Sequence, residues 1–291
     1  MWLMIVSVPL LPAIFMVSSR YRVKVAALCH RALAWTLRLV RGRVCVRSTH
    51  AFVFSECTHG KAESVLETFD LYNDTHPSLC IGPQIVVAQQ HQQNNTPLVK
   101  PEGEEINTTA LPAPSVPGEA LDEVVRRVQP SRVLELGMHC GYSSVCLLRL
   151  LPPAGRLITV ELDPLTAELG EEIILVAGFK HSQFQVLTSS SAEAIQTLRP
   201  FLEPDQEASE GLNLVLMDHD PQQYLPDLLA LEREELFSPH GCSVLLIHRN
   251  QRNLREILDH VGARLDCYSI KSEHQFVTEI FYQKERTSVH K

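Results

Sequence analysis

Beyond residue 119 the chain alternates short apolar, β-branched runs with stretches whose apolar residues recur at helical spacing. The runs Val133–Leu136, Arg156–Glu161, Phe184–Leu187, Leu212–Met217, Ser243–Ile247, Arg264–Ser269 and Phe276–Tyr282 predict seven strands. Strands that are apolar along their whole length need cover on both faces, so the pattern predicts a doubly wound α/β sheet with helices on either side. Upstream, His59–Tyr72 sets Val65, Leu66, Phe69 and Leu71 among charges, the spacing of a short amphipathic helix that packs on the same domain. From 84 to 118 the apolar pattern gives way to a Gln-, Asn- and Pro-rich tract with little to bury, which reads as an insertion or linker.

The first 17 residues carry no charge, at the lower end of the ~17–25 that a membrane-crossing helix needs. The expected organisation is an anchor over 1–17, a basic juxtamembrane segment over 18–50, an N-terminal helical part over 51–83, the insertion over 84–118 and the α/β core over 119–291.

Charge sharpens that division. Residues 1–55 contain eight Lys or Arg and no Asp or Glu, while 56–291 carry 18 basic against 34 acidic side chains. Basic residues that follow an apolar run mark the cytoplasmic side, so the sequence predicts a single-pass membrane protein with its globular part in the cytoplasm and membrane lipid as a partner. An acidic body is poorly suited to neutralising phosphates, and nucleic acid is excluded as a partner. The eight cysteines form no CxxC pair and no zinc-ligand spacing, which leaves reduced thiols as the expectation.

The most informative chemistry lies at the first two strand ends. The first strand runs into ELGMHCGYSS, where Gly137 and Gly141 open a turn into a helix beginning near Ser143. A dinucleotide site would show GxGxxG. A GxxxG turn after an acidic strand end suits a nucleoside without pyrophosphate. Glu161, at the end of the second strand, stands where a carboxylate can accept both ribose hydroxyls.

The stretches QPSRVLELGMHCGYSS, LPPAGRLITVELDP, LVLMDHDPQQYLPD and ESVLETFDLY resemble the catechol O-methyltransferase family, in its membrane-bound form or transmembrane relatives. The resemblance runs from about Glu63 to the C-terminus, interrupted by the insertion. It implies a class I methyltransferase, Rossmann-like fold and S-adenosylmethionine as cofactor. Glu135, Gly137 and Ser143 would line its methionine part, Glu161 its ribose, and Ser191 and His219 its adenine, with Ile81 as a backbone contact and Asp218 bordering the same site. His139 replaces a family tyrosine and Ala192 a family amide.

The resemblance also implies Mg2+ held by two aspartates and an asparagine, and a lysine base. Asp218 preserves the first ligand. His248 and Arg249 occupy the other two positions, and a guanidinium cannot ligate a cation; Asn250 reaches the site only by a register shift. Pro221 occupies the base position, Asp220 and Pro77 replace aromatic walls of the substrate pocket, and neither Glu273 nor Glu279 matches the family's diol-gripping acid. His219 and His248 are the substitute bases on offer. Two readings follow. One is an O-methyltransferase acting on a small catechol- or catecholamine-like molecule. The other is a catalytically impaired relative that serves as a membrane-associated binding or trafficking module with a protein partner.

Overall fold

The computed structural model describes residues 46–75, 117–202, 211–248, 251–274 and 276–284. All of them belong to one compact unit, Cys45–Lys291. The expected anchor over 1–17, nearly all of the basic segment and of the 84–118 tract, and Pro77, Ile81, Arg249 and Asn250 lie outside the described residues. Among the described residues no helix is long and apolar enough to cross a membrane.

A helical stretch over 46–56 leads to α1 (Ala62–Thr75) and, later, α2 (Pro117–Val128). The core then alternates β1 (Arg132–Leu136), α3 (Tyr142–Leu148), β2 (Arg156–Glu161), α4 (Pro164–Val176), β3 (Phe184–Thr188), α5 (Ser191–Gln196), α6 (Arg199–Leu202), β4 (Leu214–Met217), α7 (Tyr224–Arg233), β5 (Cys242–Ile247), α8 (Arg255–Ala263), β6 (Tyr268–Glu273) and β7 (Val277–Tyr282). The seven strands form one sheet in the order β3-β2-β1-β4-β5-β7-β6. β1 to β5 pair in parallel, whereas β7 runs antiparallel to both β5 and β6. This is a seven-stranded, Rossmann-like sheet of the kind the resemblance implies.

Alternation along each strand divides the core into two layers. Val133, Leu214, Leu245 and Val277 face a cluster that includes Val53, Phe69 and Val125, Val145 and Ile173 from helices on one side. Leu134, Val215, Val244 and Ile280 face Ile195, Leu228 and Val261 on the other.

Two strand starts differ from expectation by more than one residue. The sixth strand begins at Tyr268 rather than Arg264, because residues 264–267 form the turn that ends α8, in which the amides of Cys267 and Tyr268 both donate to the Arg264 carbonyl. The fourth begins at Leu214; Leu212 makes only an isolated bridge to Phe237. Pro221, which offers no backbone donor, fits where it stands. It opens a short 3-10 turn, Pro221–Gln223, capped by the Asp220 side chain, a position where its fixed φ is favourable.

Candidate active site at the carboxyl edge of the sheet

The carboxyl ends of β1, β2 and β4 meet around Gly137. Its amide and that of Met138 donate to the Val160 carbonyl of β2, while the Leu136 carbonyl accepts the Asp218 amide after β4. Gly137 has φ +96, and a Cβ there would lie 2.6 Å from the Asp218 carbonyl oxygen. Glycine is required here because the ends of β1 and β4 converge, whatever ligand lies above them. Gly141, the N-cap of α3 with φ +85, answers a second close approach: a Cβ there would lie 2.9 Å from the Gly170 carbonyl of α4. Gly170 carried no signal in the sequence. It is a helix-interior glycine whose reason is the neighbouring turn, since a Cβ on it would strike Met138 at 2.5 Å.

Glu135 sits at the end of this turn with no exposed surface. Ser143 Oγ and Ser144 Oγ each donate a short hydrogen bond to one of its carboxylate oxygens, and Thr159 Oγ1 donates to Oε2 at 2.6 Å. Burial raises its pKa, and the three hydroxyls work in the opposite sense. Glu135 and Ser143 are therefore each other's partners inside the wall that carries the turn.

Glu161 lies half-buried at the end of β2. Its Oε2 accepts the His139 backbone amide at 3.0 Å and its Oε1 the Asp163 amide at 3.1 Å. Asp163 in turn caps α4 through the Thr166 amide and hydroxyl. His139 has φ +51, and its ring Nε2 donates to the Asp218 carbonyl at 2.8 Å, tying the β1 turn to the end of β4. Burial opposes charge on that imidazole, but the Asp218 and Glu161 carboxylates and the bond to the Asp218 carbonyl outweigh it, so its pKa is raised.

The remaining candidates lie along the same edge. Ser191 is half-buried at the start of α5, after a Ser190–Glu193 capping box. Asp218 is fully buried. His219 Nε2 lies 2.7 Å from Asp227 Oδ2, and its ring packs on Tyr224. Asp227, eight residues downstream on α7, was not legible as a site residue because a helix has to fold back to bring it there. Tyr224 donates to the Ile247 carbonyl at 2.7 Å; burial first, then Asp218 and Asp220, raise its pKa.

His248 departs from the expectation that it could serve as a base. It is 1% exposed, its backbone amide donates to Phe276, and its ring Nε2 meets Thr278 Oγ1 at 3.1 Å. Burial lowers its pKa to about 4, so the ring is neutral at pH 7 and sealed from solvent. Of the two acids considered for a diol, Glu279 is held by Arg127 at 2.6 Å and 2.8 Å and by Ser243 at 2.8 Å, midway along β7. Glu273 is exposed at the end of β6. Among the described residues no group of three His, Cys, Asp or Glu side chains assembles a metal donor set.

The turn, Glu135, Glu161 and the Asp218–Asp227 region all fall within one stretch that has known counterparts. Residues 103–228 match the O-methyltransferase family model. That O-methyltransferase match begins inside the tract read as an insertion and ends in α7. The chain is 42% identical over 133 residues to the transmembrane O-methyltransferase homolog of Rattus norvegicus, covering 46% of this chain and 49% of that protein. It is 39% identical over 115 residues to the catechol O-methyltransferase of Mus musculus, covering 40% of this chain and 41% of that protein. This chain thus spans about half the length of the curated relatives it matches. Among solved structures, a putative O-methyltransferase from Klebsiella pneumoniae matches over 73% of this chain and 96% of that one, at 18% identity and a TM-score of 0.47.

Proposed function

We propose that this chain is a membrane-anchored, S-adenosylmethionine-dependent O-methyltransferase acting on a small hydroxyl compound of catechol type. The observation that carries the reading is the Glu161 carboxylate beside the Gly137 turn, in a domain whose sequence matches the O-methyltransferase family. An ionised carboxylate has about four acceptor sites. Two are taken by the amides of His139 and Asp163, one on each oxygen, which leaves one on each oxygen for a pair of ribose hydroxyls. The donor set therefore fits the cofactor at its sugar. Gly137 keeps the floor of the site low, and Glu135 and Ser143 act beneath it by fixing the turn. Ser191 is assigned to the adenine side and Ile81 to a backbone contact. When bound, the cofactor supplies a methyl group on a positively charged sulfur, open to attack by a hydroxyl oxygen.

In this mechanism the protein contributes alignment and a proton acceptor. His219, whose Nε2 lies against buried Asp227, is the residue this reading assigns to the acceptor's proton. The residues do not fit the family's Mg2+ site. Of the other two family ligand positions, His248 is turned to Thr278 and the second holds Arg249, whose guanidinium cannot ligate a cation, while Asp220 caps the turn at Pro221. No step is routed through a metal.

Those losses favour a second reading, a non-catalytic methyltransferase-fold module at the membrane. Calorimetric titration with S-adenosylhomocysteine, run beside transfer of a radiolabelled methyl group to catechol with and without Mg2+, tests both. Binding with turnover supports the first reading, and binding without turnover the second. Absence of binding removes the cofactor assignment on which the first reading rests.

A further inference from the structure

The parallel strands begin at the edge of the sheet opposite the Gly137 turn. There Arg132 opens β1 and Arg156 opens β2, and the two are register partners on strands about 4.8 Å apart. Side chains alternate along each strand, so both arginines stand on the face that carries Leu134 and Ile158. Both are partly exposed, yet the Nε of each is buried without a hydrogen-bond partner. Arg132 donates from one terminal nitrogen to the carbonyls of Ser131 and Ala154, at 3.0 Å and 3.4 Å. Arg156 has no acceptor among the described residues, and neither guanidinium is paired with a carboxylate there.

Like charges facing each other across strands repel, and buried donors without acceptors add to the cost. The chain entering these strands does not offset it. Residues 129–133, 150–157 and 178–185 contain Arg132, Arg156, Lys180 and His181 but no Asp or Glu, in a body that carries 18 basic against 34 acidic side chains. The Leu157 amide donates to the Gln183 carbonyl and so holds the turn before β3, with exposed Lys180, at the same edge. The carboxylates of Glu135, Glu161 and Asp218 gather at the other edge. We propose that the paired guanidiniums form an anion site for a phosphate monoester. Its two negative charges match two arginines, its oxygens accept the paired N–H bonds of a guanidinium, and a carboxylate ligand would balance only one of the two. Along β2, roughly 16 Å separates the backbone of Arg156 from that of Glu161, so the site is distinct from the cofactor edge and does not rest on the transferase reading.

Glycerol phosphate and acetate, titrated by calorimetry into the full-length protein without cofactor, test the site. The phosphate ester, whose second pKa is about 6, should bind about tenfold more tightly than acetate at pH 7 and lose that advantage at pH 5. Arg156→Gln removes a side chain with no protein acceptor and should weaken the phosphate ester about tenfold, and Arg132→Gln/Arg156→Gln about a hundredfold, in keeping with hydrogen bonds between charged groups. Arg252→Gln/Arg255→Gln removes the same charge from the residues after β5, at the other edge, and should change the affinity by less than about twofold, since exposed charges that far apart are screened. Equal affinities for the two probes, unchanged binding in folded Arg156→Gln, or an equal loss in the two double variants overturns the inference. The phosphate monoester can come from a soluble metabolite or from a lipid headgroup, and flotation with phosphatidylcholine vesicles that contain phosphatidylinositol phosphate separates these sources. Weaker flotation of Arg132→Gln/Arg156→Gln than of the wild type assigns the site to the headgroup; equal flotation, with the calorimetric difference intact, assigns it to the soluble ester.

Discussion

The backbone amide of His139 donates to Glu161 Oε2 at 3.0 Å. One bond thus joins the turn after β1 to the end of β2 and leaves the Glu161 carboxylate oriented along the carboxyl edge. If that carboxylate holds the cofactor's sugar, its removal should be costly. Glu161→Gln keeps the size but loses the charge, and should weaken S-adenosylhomocysteine by about ten- to a hundredfold, the range for hydrogen bonds to a charged group. Calorimetry reads the loss; unchanged affinity would place the sugar elsewhere.

Gly137→Ala should lower stability by about 1–3 kcal/mol, since a non-glycine residue is strained at φ +96 and its Cβ has the Asp218 carbonyl 2.6 Å away. Urea unfolding followed by circular dichroism measures it. A neutral result would mean that β1 and β4 can part without cost.

Arg127 is half-exposed, but its partner Glu279 is 2% exposed. Arg127→Ala would leave that carboxylate with the Ser243 hydroxyl as a donor and should cost about 2–4 kcal/mol, slightly below the range for breaking a fully buried pair because water can reach the vacated side. The same unfolding assay checks it, and Arg127→Lys should recover part of the loss.

His248 gives the protein an acid sensitivity of definite sign. Its folded pKa, about 4, lies below the 6.5 of an unperturbed imidazole. Between those values the unfolded chain binds the proton and the native chain does not, so stability is full above pH 6.5 and is lost as pH falls toward 4. The contribution is on the order of 1–3 kcal/mol. Melting temperatures at pH 7 and pH 5 should differ more for the wild type than for His248→Leu; an equal drop in both would assign the sensitivity elsewhere.

Asp227 is expected to act through His219. Asp227→Asn should leave S-adenosylhomocysteine affinity within about twofold, since a hydrogen bond to the ring survives, yet lower kcat by about a hundredfold, the lower end of the effect of a positioned base. Single-turnover methyl transfer against pH is the measurement. A changed KM with kcat unaltered would assign the pair to binding alone.

Much of this site can be read from the sequence because it is local. Glu135, Gly137, Gly141 and Glu161 sit at strand ends that announce themselves through short apolar runs, and the Asp220–Pro221 turn carries its own cap. The sixth strand could not be placed to the residue, because Arg264–Cys267 alternates charged and apolar residues as a strand does and becomes a turn only when α8 ends above it. His248 is ambiguous for the same reason. A polar residue closing an apolar run can face a ligand or be sealed, and β7 seals it by placing Thr278 alongside.

The linear pattern of apolar residues determined that a parallel sheet would form, which segments would become its strands, and that two glycines and two carboxylates would gather at its carboxyl edge, since period and turn chemistry act over a few residues. Only the tertiary structure decided which of those groups remain open. Three hydroxyls from three positions close over Glu135, Arg127 captures Glu279 from 152 residues away, and Asp227 reaches His219 through a folded-back helix. Partners so distant in the chain are chosen by packing, which brings buried charges together because leaving any of them unmatched costs more than the rest of the local pattern can offset.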